Sequence, residues 1–302
     1  MSMNISVKKV IKNQALRHRL LKLLSWLPDR IMLPIQYFLI LHRWPDMKNP
    51  QRFTEKIQCY KAFYRNPTML ECVDKYKVRE YVRMKLGTEK YLNTLYQVYN
   101  NANEIDFNTL PDKFVIKTTD GGNGDNVLIC RDKNKLDIKL TRSKINGWRN
   151  KKYYSISREW AYNGAKESKI IIEKLLESPE NKDCSIDDYK FLCYSGKFRY
   201  LWVDKNRYSN HRRGFWDENL HFIKNVQSDH PTFDSEPKLP ENIHEMIKVS
   251  EKLSEDFPFA RIDLYNIQGN IIFGEITFYP WSGYIQYKPD SFDYELGKYF
   301  II

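Results

Sequence analysis

The stretch FARIDLYNIQGNIIFGEITF, residues 259–278, alternates apolar and polar side chains on both sides of Gly269. Such alternation around a glycine is typical of two antiparallel strands joined by a tight turn. A hairpin centred on Gly269 places Asp263 opposite Glu275, and two facing carboxylates repel each other unless a cation lies between them. The pattern predicts either a Mg²⁺ site or a solvated polar face with ion pairs. The residues expected on this one face are Arg261, Asp263, Glu275 and Thr277.

A second glycine-rich segment, FVIKTTDGGNGDNV, occupies residues 114–127. A predicted strand ends at Lys117, and another begins at Asn126 after the glycines. Glycines let backbone N–H groups approach a phosphate, and the lysine adds positive charge. The segment lacks the Gly-Lys-Ser/Thr of a P-loop and the G-x-G-x-x-G of a dinucleotide-binding turn. It therefore indicates either a phosphate-binding loop or a flexible hairpin.

A third signal is the segment IIIEKLL, residues 170–176, in which Glu173 ends an apolar strand. An adenine ring needs apolar walls, and its amino group needs an acceptor, which such a strand end supplies. The alternative is that Glu173 is a simple surface residue.

The composition of the 302-residue chain is that of a globular protein, with 42% hydrophobic and 29% charged residues. This excludes a disordered, collagen-like or low-complexity protein. The five cysteines contain no CxxC pair. Their number and spacing argue for a reducing compartment and against a zinc ribbon or a disulfide framework.

The net charge of +11 is concentrated near the N-terminus: residues 1–90 hold 19 Lys and Arg against 7 Asp and Glu. Residues 91–302 hold 30 against 31, which argues against nucleic acid as the main ligand. Residues 7–28 have the pattern of a basic amphipathic helix. The apolar run at 31–41 is too short to cross a bilayer and is expected to pack in a core or lie at an interface.

The location predicted for the protein is cytoplasmic, because the chain has neither a long apolar segment nor a secretory signal pattern. The basic N-terminal region has two readings, a plain solvated helical subdomain or peripheral contact with anionic lipid at the inner face of the plasma membrane.

The periodicity elsewhere predicts an α+β (α/β) protein in which helices come first and mixed strands and helices follow. Helices are expected over 53–64, 68–86, 139–163 and 241–257. Strands are expected over 114–117, 126–130 and 169–176, with hairpins formed by 189–194 and 198–203 and by 260–265 and 271–278.

In order and spacing, these segments resemble the TupA-like ATP-grasp family of surface-polysaccharide and teichuronopeptide biosynthesis, over about residues 45–300. The segments that carry the resemblance are FTEKI at 53–57, DKYKVR at 74–79, LPDKFVIK at 110–117, DYKF at 188–191 and GEITF at 274–278. The resemblance implies an ATP-grasp fold with a basic helical N-terminal region. The implied divisions are an N-terminal segment (1–50), an N-terminal lobe (51–110), a central nucleotide-clamping lobe with the Gly-rich loop (111–176) and a C-terminal metal and substrate lobe (177–302).

The resemblance also implies a nucleotide site for ATP. Lys75 and Lys117 would contact phosphates, and the loop with Gly121, Gly122 and Gly124 would close over the triphosphate. Glu173 and Leu176 would hold adenine, Glu180 would reach the ribose, and Lys190 would approach the nucleotide.

The metal expected from the resemblance is Mg²⁺, bound by Asp263 and Glu275, with Arg261 stabilising the transferring phosphoryl group and Lys117 assisting. Many ATP-grasp enzymes have Asn two residues after the metal-binding Glu, whereas this chain has Thr277. A hydroxyl ligand is expected to weaken a second metal position.

Two segments are candidates for the acceptor side. Arg212 and Arg213 beside His211 offer forks suited to a carboxylate or phosphate, or are solvated loop charges. Ser282 and Gly283 follow the metal strand within Trp-Ser-Gly-Tyr, where aromatic rings suit sugar faces.

The function that these expectations favour is a carboxylate–amine ligase that uses Mg²⁺ and ATP and forms an amide through an acyl phosphate. Its expected partners are an amino acid or amine and a sugar or glycan acceptor with a carboxylate, such as a uronic acid of a capsule, O-antigen or other cell-envelope glycan. One alternative is a sugar or glycan kinase, or a glycosyltransferase-like enzyme, of the same pathway. The other is a non-enzymatic basic protein that binds membranes.

Overall fold

The computed structural model describes residue 24 and residues 26–121, 126–148, 157–163, 168–181, 184–207 and 209–302. Its helices are α1 (Asp29–Leu41), α2 (Phe53–Phe63), α3 (Thr68–Cys72), α4 (Val78–Leu86), α5 (Ile138–Trp148), α6 (Trp160–Asn163), α7 (Ile243–Ser254) and α8 (Ser291–Lys298). Its strands are β1 (Leu95–Tyr99), β2 (Phe114–Thr118), β3 (Val127–Cys130), β4 (Ile170–Lys174), β5 (Asp188–Tyr194), β6 (Lys197–Lys205), β7 (Arg212–Trp216), β8 (Phe259–Ile267) and β9 (Asn270–Thr277).

The strands form two antiparallel sheets. One has four strands in the order β1-β4-β2-β3, and the other has five in the order β7-β6-β5-β8-β9. Helices and antiparallel sheets together confirm the predicted α+β class. The divisions at residues 50, 110 and 176 remain a prediction.

Each sheet has its own hydrophobic core. In the four-stranded sheet, Phe114 and Ile116 alternate into a small core with Ile172 and Trp148 of α5. The intervening positions of β2 therefore face the other way. The five-stranded sheet packs against α2, α4, α7 and α8 in a larger, aromatic-rich core.

Two helix predictions were wrong in extent. The helix expected over 68–86 is interrupted because Asp74 Oδ1 accepts hydrogen bonds from the backbone N–H groups of Tyr76 and Lys77, both at 2.9 Å. Such a turn competes with helical hydrogen bonding, so α3 ends at Cys72 and Lys75 lies in a turn rather than on a helix. In the segment 139–163, α5 is described as far as Trp148, and 149–156 lie outside the described residues. Residues 158–159 are not helical, so α6 is a separate short helix.

The N-terminal apolar run forms α1, which buries Met32, Leu33, Tyr37 and Leu41 in the fold. Packing in a core was one of the two outcomes expected for it. Most of the predicted amphipathic helix at 7–28 lies outside the described residues.

Within the described part of the chain, no helix combines the length and apolar character that crossing a bilayer requires.

Candidate active site

The hairpin of β8 and β9 brings two acidic residues face to face. Its turn consists of Gln268 (φ 50°) and Gly269 (φ 82°), both left-handed as a tight two-residue hairpin turn requires. Asp263 pairs with Glu275, as predicted, after a bulge that leaves Gly274 unpaired. A Cβ on Gly274 would lie 3.0 Å from the Asp263 carbonyl oxygen, so the bulge has little room for a side chain.

The four side chains predicted to share one face do so. Arg261 Nε donates to Asp263 Oδ1 at 2.7 Å, and Arg261 Nη2 donates to Asp263 Oδ2 at 2.6 Å. The same Nη2 lies 3.2 Å from Glu275 Oε1 and 3.0 Å from Thr277 Oγ1. Arg261 is nine-tenths buried, so its charge acts in a poorly solvated setting.

Lys190 of β5 extends this charged face to a third strand. Its ammonium donates to Asp263 Oδ2 at 2.8 Å and also to Asp188. Asp188, Lys190 and Asp263 are each at most 3% exposed. Among the described residues, none donates a hydrogen bond to Asp188 Oδ1. Asp188 was not predicted, although its position two residues before Lys190 places both on the same face of a strand.

The opposite wall comes from the four-stranded sheet. Lys117 Nζ donates to Glu173 Oε2 at 2.9 Å, and Arg79 Nη1 of α4 donates to Glu173 Oε1 at 3.3 Å. Glu173 is 7% exposed, so it is not the surface residue of the alternative reading. Arg79 was missed as a site residue, since its reach to Glu173 depends on how α4 packs on the sheet.

Lys75 completes this wall at the start of the Gly-rich loop. Its backbone N–H donates to the Thr119 carbonyl at 3.0 Å, and its ammonium donates to the Gly121 carbonyl. Of the other loop residues predicted to cover the triphosphate, Gly122 and Gly124 lie outside the described residues.

The two walls interact electrostatically. Burial disfavours the charged form of Glu275, but Lys75, Arg261 and Lys190 outweigh it and lower the pKa of Glu275 to about 2. Burial lowers the pKa of Lys75, and the charge of Glu275 opposes that shift. Lys75 of one wall is therefore close enough to Glu275 of the other to stabilise its charged form.

A cavity of about 330 Å³ lies between the connector after β4 and the tip of the β8–β9 hairpin. Lys174 and Leu176 line one side, and Ile271 and Ile272 line the other. Polar residues, among them Lys90, Asn93 and Glu245, also line this cavity, so only part of its wall is apolar as the adenine expectation requires. Glu180, predicted to reach the ribose, is exposed.

The candidate acceptor residues on β7 divide between two faces. Arg213 binds Asp204 through Nε at 2.6 Å and Nη2 at 3.1 Å, and His211 Nε2 lies 3.1 Å from Asp204 Oδ1. Arg212 points to the other face, where it donates to the Thr232 carbonyl at 3.0 Å. The structure therefore brings Arg213 and His211, but not Arg212, to the charged face.

Ser282 and Gly283 lie in the loop Pro280–Gly283 directly after β9. Beside them, the Trp281 indole stacks on Trp202 of β6 with ring centroids 4.0 Å apart and an interplanar angle of 7°. Trp202 faces the charged residues, since the Arg261 guanidinium carbon lies 5.0 Å from its ring centroid. Trp202 was missed, because a hairpin that turns at Ser195-Gly196 pairs Lys190 with Leu201. The bulge between Leu192 and Cys193 shifts the register and brings Trp202 opposite Lys190.

The donors of Asp263, Glu275 and Thr277 are carboxylate and hydroxyl oxygens, the ligand type that Mg²⁺ prefers. In the regions that the structure describes, no group of three His, Cys, Asp or Glu side chains is arranged as a complete metal cage. Two carboxylates without a full cage fit a Mg²⁺ that arrives with a nucleotide, because phosphate oxygens then complete its coordination.

The TupA-like ATP-grasp family model matches residues 55–301 of the chain. Among solved structures, a D-alanine–D-alanine ligase from Bacillus anthracis is 17% identical to this chain and has a TM-score of 0.42. The match covers 69% of this chain and 57% of the ligase. An L-amino acid ligase from Bacillus licheniformis is 14% identical to this chain and has a TM-score of 0.46. The match covers 83% of this chain and 55% of the ligase. The chain spans about half the length of these two solved proteins. No curated protein matches it in sequence.

Proposed function

The chain belongs to the TupA-like ATP-grasp family, and from that premise we propose that it is an ATP-dependent carboxylate–amine ligase. The observation that carries the proposal is the opposition of two charged walls. Lys75 and Lys117 lie on one wall, and Asp263, Glu275 and Arg261 lie on the other. A cleft with lysines on one wall and metal-binding carboxylates on the other suits a magnesium-bound triphosphate.

The proposed reaction has two steps. A carboxylate oxygen of the acceptor attacks the γ-phosphorus of ATP, which breaks the bond to the bridging oxygen and releases ADP. The amine nitrogen then attacks the carbonyl carbon of the acyl phosphate, phosphate leaves, and the nitrogen loses one proton. Lys75 and Lys117 would hold the phosphates, and Arg261 would stabilise the charge on the phosphoryl group in transfer.

The residues that would hold Mg²⁺ are Asp263 and Glu275, with Thr277 as a third oxygen donor. When bound, Mg²⁺ would neutralise phosphate charge and polarise the phosphoryl oxygens. Lys190, which bridges Asp188 and Asp263, would supply a further positive charge beside the nucleotide.

The proposed acceptor is a uronic acid of a cell-envelope glycan, and the proposed amine is an amino acid. One feature supports this class of substrate: the half-buried Trp281 offers an aromatic ring suited to a sugar face. Arg213 is 5% exposed and bound to Asp204 and Asp229, so its guanidinium is already occupied within the protein. A cytoplasmic location belongs to the same proposal.

The test is an assay of ADP release with Mg²⁺ and ATP, in which nucleotide-linked uronic acids are combined with a mixture of amino acids. A product heavier by one amino acid minus water, seen by mass spectrometry only when both substrates are present, would support the ligase. Release of ADP together with formation of a stable phosphosugar would favour the kinase alternative over the ligase. Failure to bind ATP in calorimetry would refute both.

A further inference from the structure

The loop after β9 has a backbone conformation that needs external support. Trp281 (φ 46°, ψ 24°), Ser282 (φ 59°, ψ 16°) and Gly283 (φ 72°) are three successive residues in the left-handed region. Two of them carry a Cβ, which makes that conformation unfavourable unless surrounding contacts hold it. A Cβ on Gly283 would lie 2.7 Å from Cγ2 and 2.9 Å from Cβ of Ile57, so a side chain has no room at this position.

The support comes from one face of α2. Lys61 Nζ donates to the Ser282 carbonyl oxygen at 2.7 Å and to Ser282 Oγ at 2.6 Å. Gln58 Nε2, one turn earlier, lies 3.1 Å from the Ser282 carbonyl and 3.2 Å from the Gly283 carbonyl. Both side chains are fully buried, so these bonds do not compete with water.

Glu159 lies in the same buried region as Lys61. It is 8% exposed. Burial raises the pKa of Glu159 and lowers the pKa of Lys61, and the charge of each group opposes the shift of the other. The direct contacts with the loop are those of Lys61 and Gln58.

We propose that Lys61 and Gln58 are positioning residues whose buried hydrogen bonds fix the loop 281–283 and thereby set acceptor binding. The contacts run from Ser282 to the neighbouring Trp281, whose indole stacks on Trp202 beside Arg261. Trp281 Nε1 also donates to Asp229 at 3.2 Å, which fixes the indole at its other end. The link to the acceptor rests on the proposed ligase function, whereas the link to the tryptophan stack does not.

The test compares Lys61→Met and Gln58→Leu with a matched control, Lys56→Met. Lys56 lies on the same helix but donates to the Gly297 carbonyl at 2.9 Å, away from the loop. Near-ultraviolet circular dichroism of the full-length chain reports the stacked indoles, and a Trp281→Phe variant identifies their signal. A calorimetric titration with Mg²⁺ and a non-hydrolysable ATP analogue reports the nucleotide site.

The expected result is that Lys61→Met and Gln58→Leu both lose most of the Trp281 signal while nucleotide affinity changes less than about threefold. For an acceptor that the wild type turns over, KM should rise about tenfold or more, because small displacements of a positioning loop have large kinetic effects. The control should keep the signal and the KM. An unchanged dichroism signal in Lys61→Met and Gln58→Leu, or equal loss in the control, would overturn the proposal. Absence of ADP release from wild type would count against the ligase alone.

Discussion

Glu275 pairs directly with Asp263 across β8 and β9, although the turn by itself would place Gly274 opposite Asp263. The two-residue turn pairs Ile267 with Asn270, and this register continues as far as Leu264 and Phe273. The bulge then adds one residue to β9, so that Glu275 rather than its neighbour faces Asp263. A shift of one residue moves a side chain to the opposite face of a sheet, so the bulge decides whether the two acids meet.

Insertion of one glycine between Gly274 and Glu275 is therefore expected to abolish ATP turnover, because Glu275 and Thr277 would turn to the other face. Electron paramagnetic resonance with Mn²⁺ and ATP should show lost metal binding. Deletion of Gly274 serves as the control, because it removes the unpaired bulge residue and leaves Glu275 opposite Asp263. Retained Mn²⁺ binding in the chain with the inserted glycine would contradict this account of the bulge.

Lys117→Ala, Asp263→Asn and Glu275→Gln are each expected to abolish turnover without unfolding the chain. Each variant removes a charge at the proposed triphosphate and Mg²⁺ site, where charge stabilisation carries most of the catalysis. Lys113→Ala is a matched control on the same segment as Lys117, because its 2.8 Å pair with Glu177 is largely exposed. ADP release and urea unfolding would be measured together, and near-normal rates in the three variants would refute the site assignment.

Glu173→Gln is expected to lower the free energy of unfolding by about 3 kcal/mol, because it leaves Lys117 and Arg79 without their buried counter-charge. Glu177→Gln, which breaks exposed pairs only, should cost less than about 1 kcal/mol. Urea denaturation measures the free energy of unfolding of both variants. Equal values would show that Glu173 does not act as a buried counter-ion.

The strands of the site were predictable from sequence, because alternation determines which residues share a face. That rule placed Arg261, Asp263, Glu275 and Thr277 together, and it also separates Arg212 from Arg213. The predicted pair was correct, but the turn differs: the hairpin was expected to be centred on Gly269, whereas a two-residue turn at Gln268 and Gly269 together with a bulge gives the same pair. A bulge leaves no periodic signal, so it was beyond sequence reasoning.

Contacts between distant segments were not predictable in the same way. The break before α4 depends on the Asp74 side chain binding backbone N–H groups, which helical periodicity does not report. The approach of Arg79 to Glu173 and of Lys61 to Ser282 depends on how helices pack on sheets. Such contacts join residues about 90 and more than 200 positions apart.

Acid stability should depend on Asp290. Its carboxylate accepts hydrogen bonds from Arg52 at 2.6 Å and from Arg43 at 2.7 Å, which lower its pKa to about 2. In the unfolded chain the pKa is about 3.9. Its stabilising effect is therefore present above about pH 4 and is lost as the pH falls toward 2. Thermal unfolding of Asp290→Asn should be less pH-dependent in this window, most clearly at low salt, since the side chain is about half exposed. An unchanged pH dependence would contradict this.

The excess of positive charge near the N-terminus leads to a separate prediction about membrane binding. Lys and Arg far outnumber Asp and Glu in residues 1–90, and the pattern before residue 24 is basic and amphipathic. Deletion of residues 2–22 should weaken binding to liposomes that contain anionic lipid and should spare ATP binding. This deletion keeps the carbonyls of Leu24 and Leu27, to which Arg158 donates at 3.3 and 2.8 Å. Liposome sedimentation at low and moderate salt measures the effect, with neutral liposomes as the control. Equal binding by the full-length and shortened chains would refute the membrane role and favour a plain solvated N-terminal region.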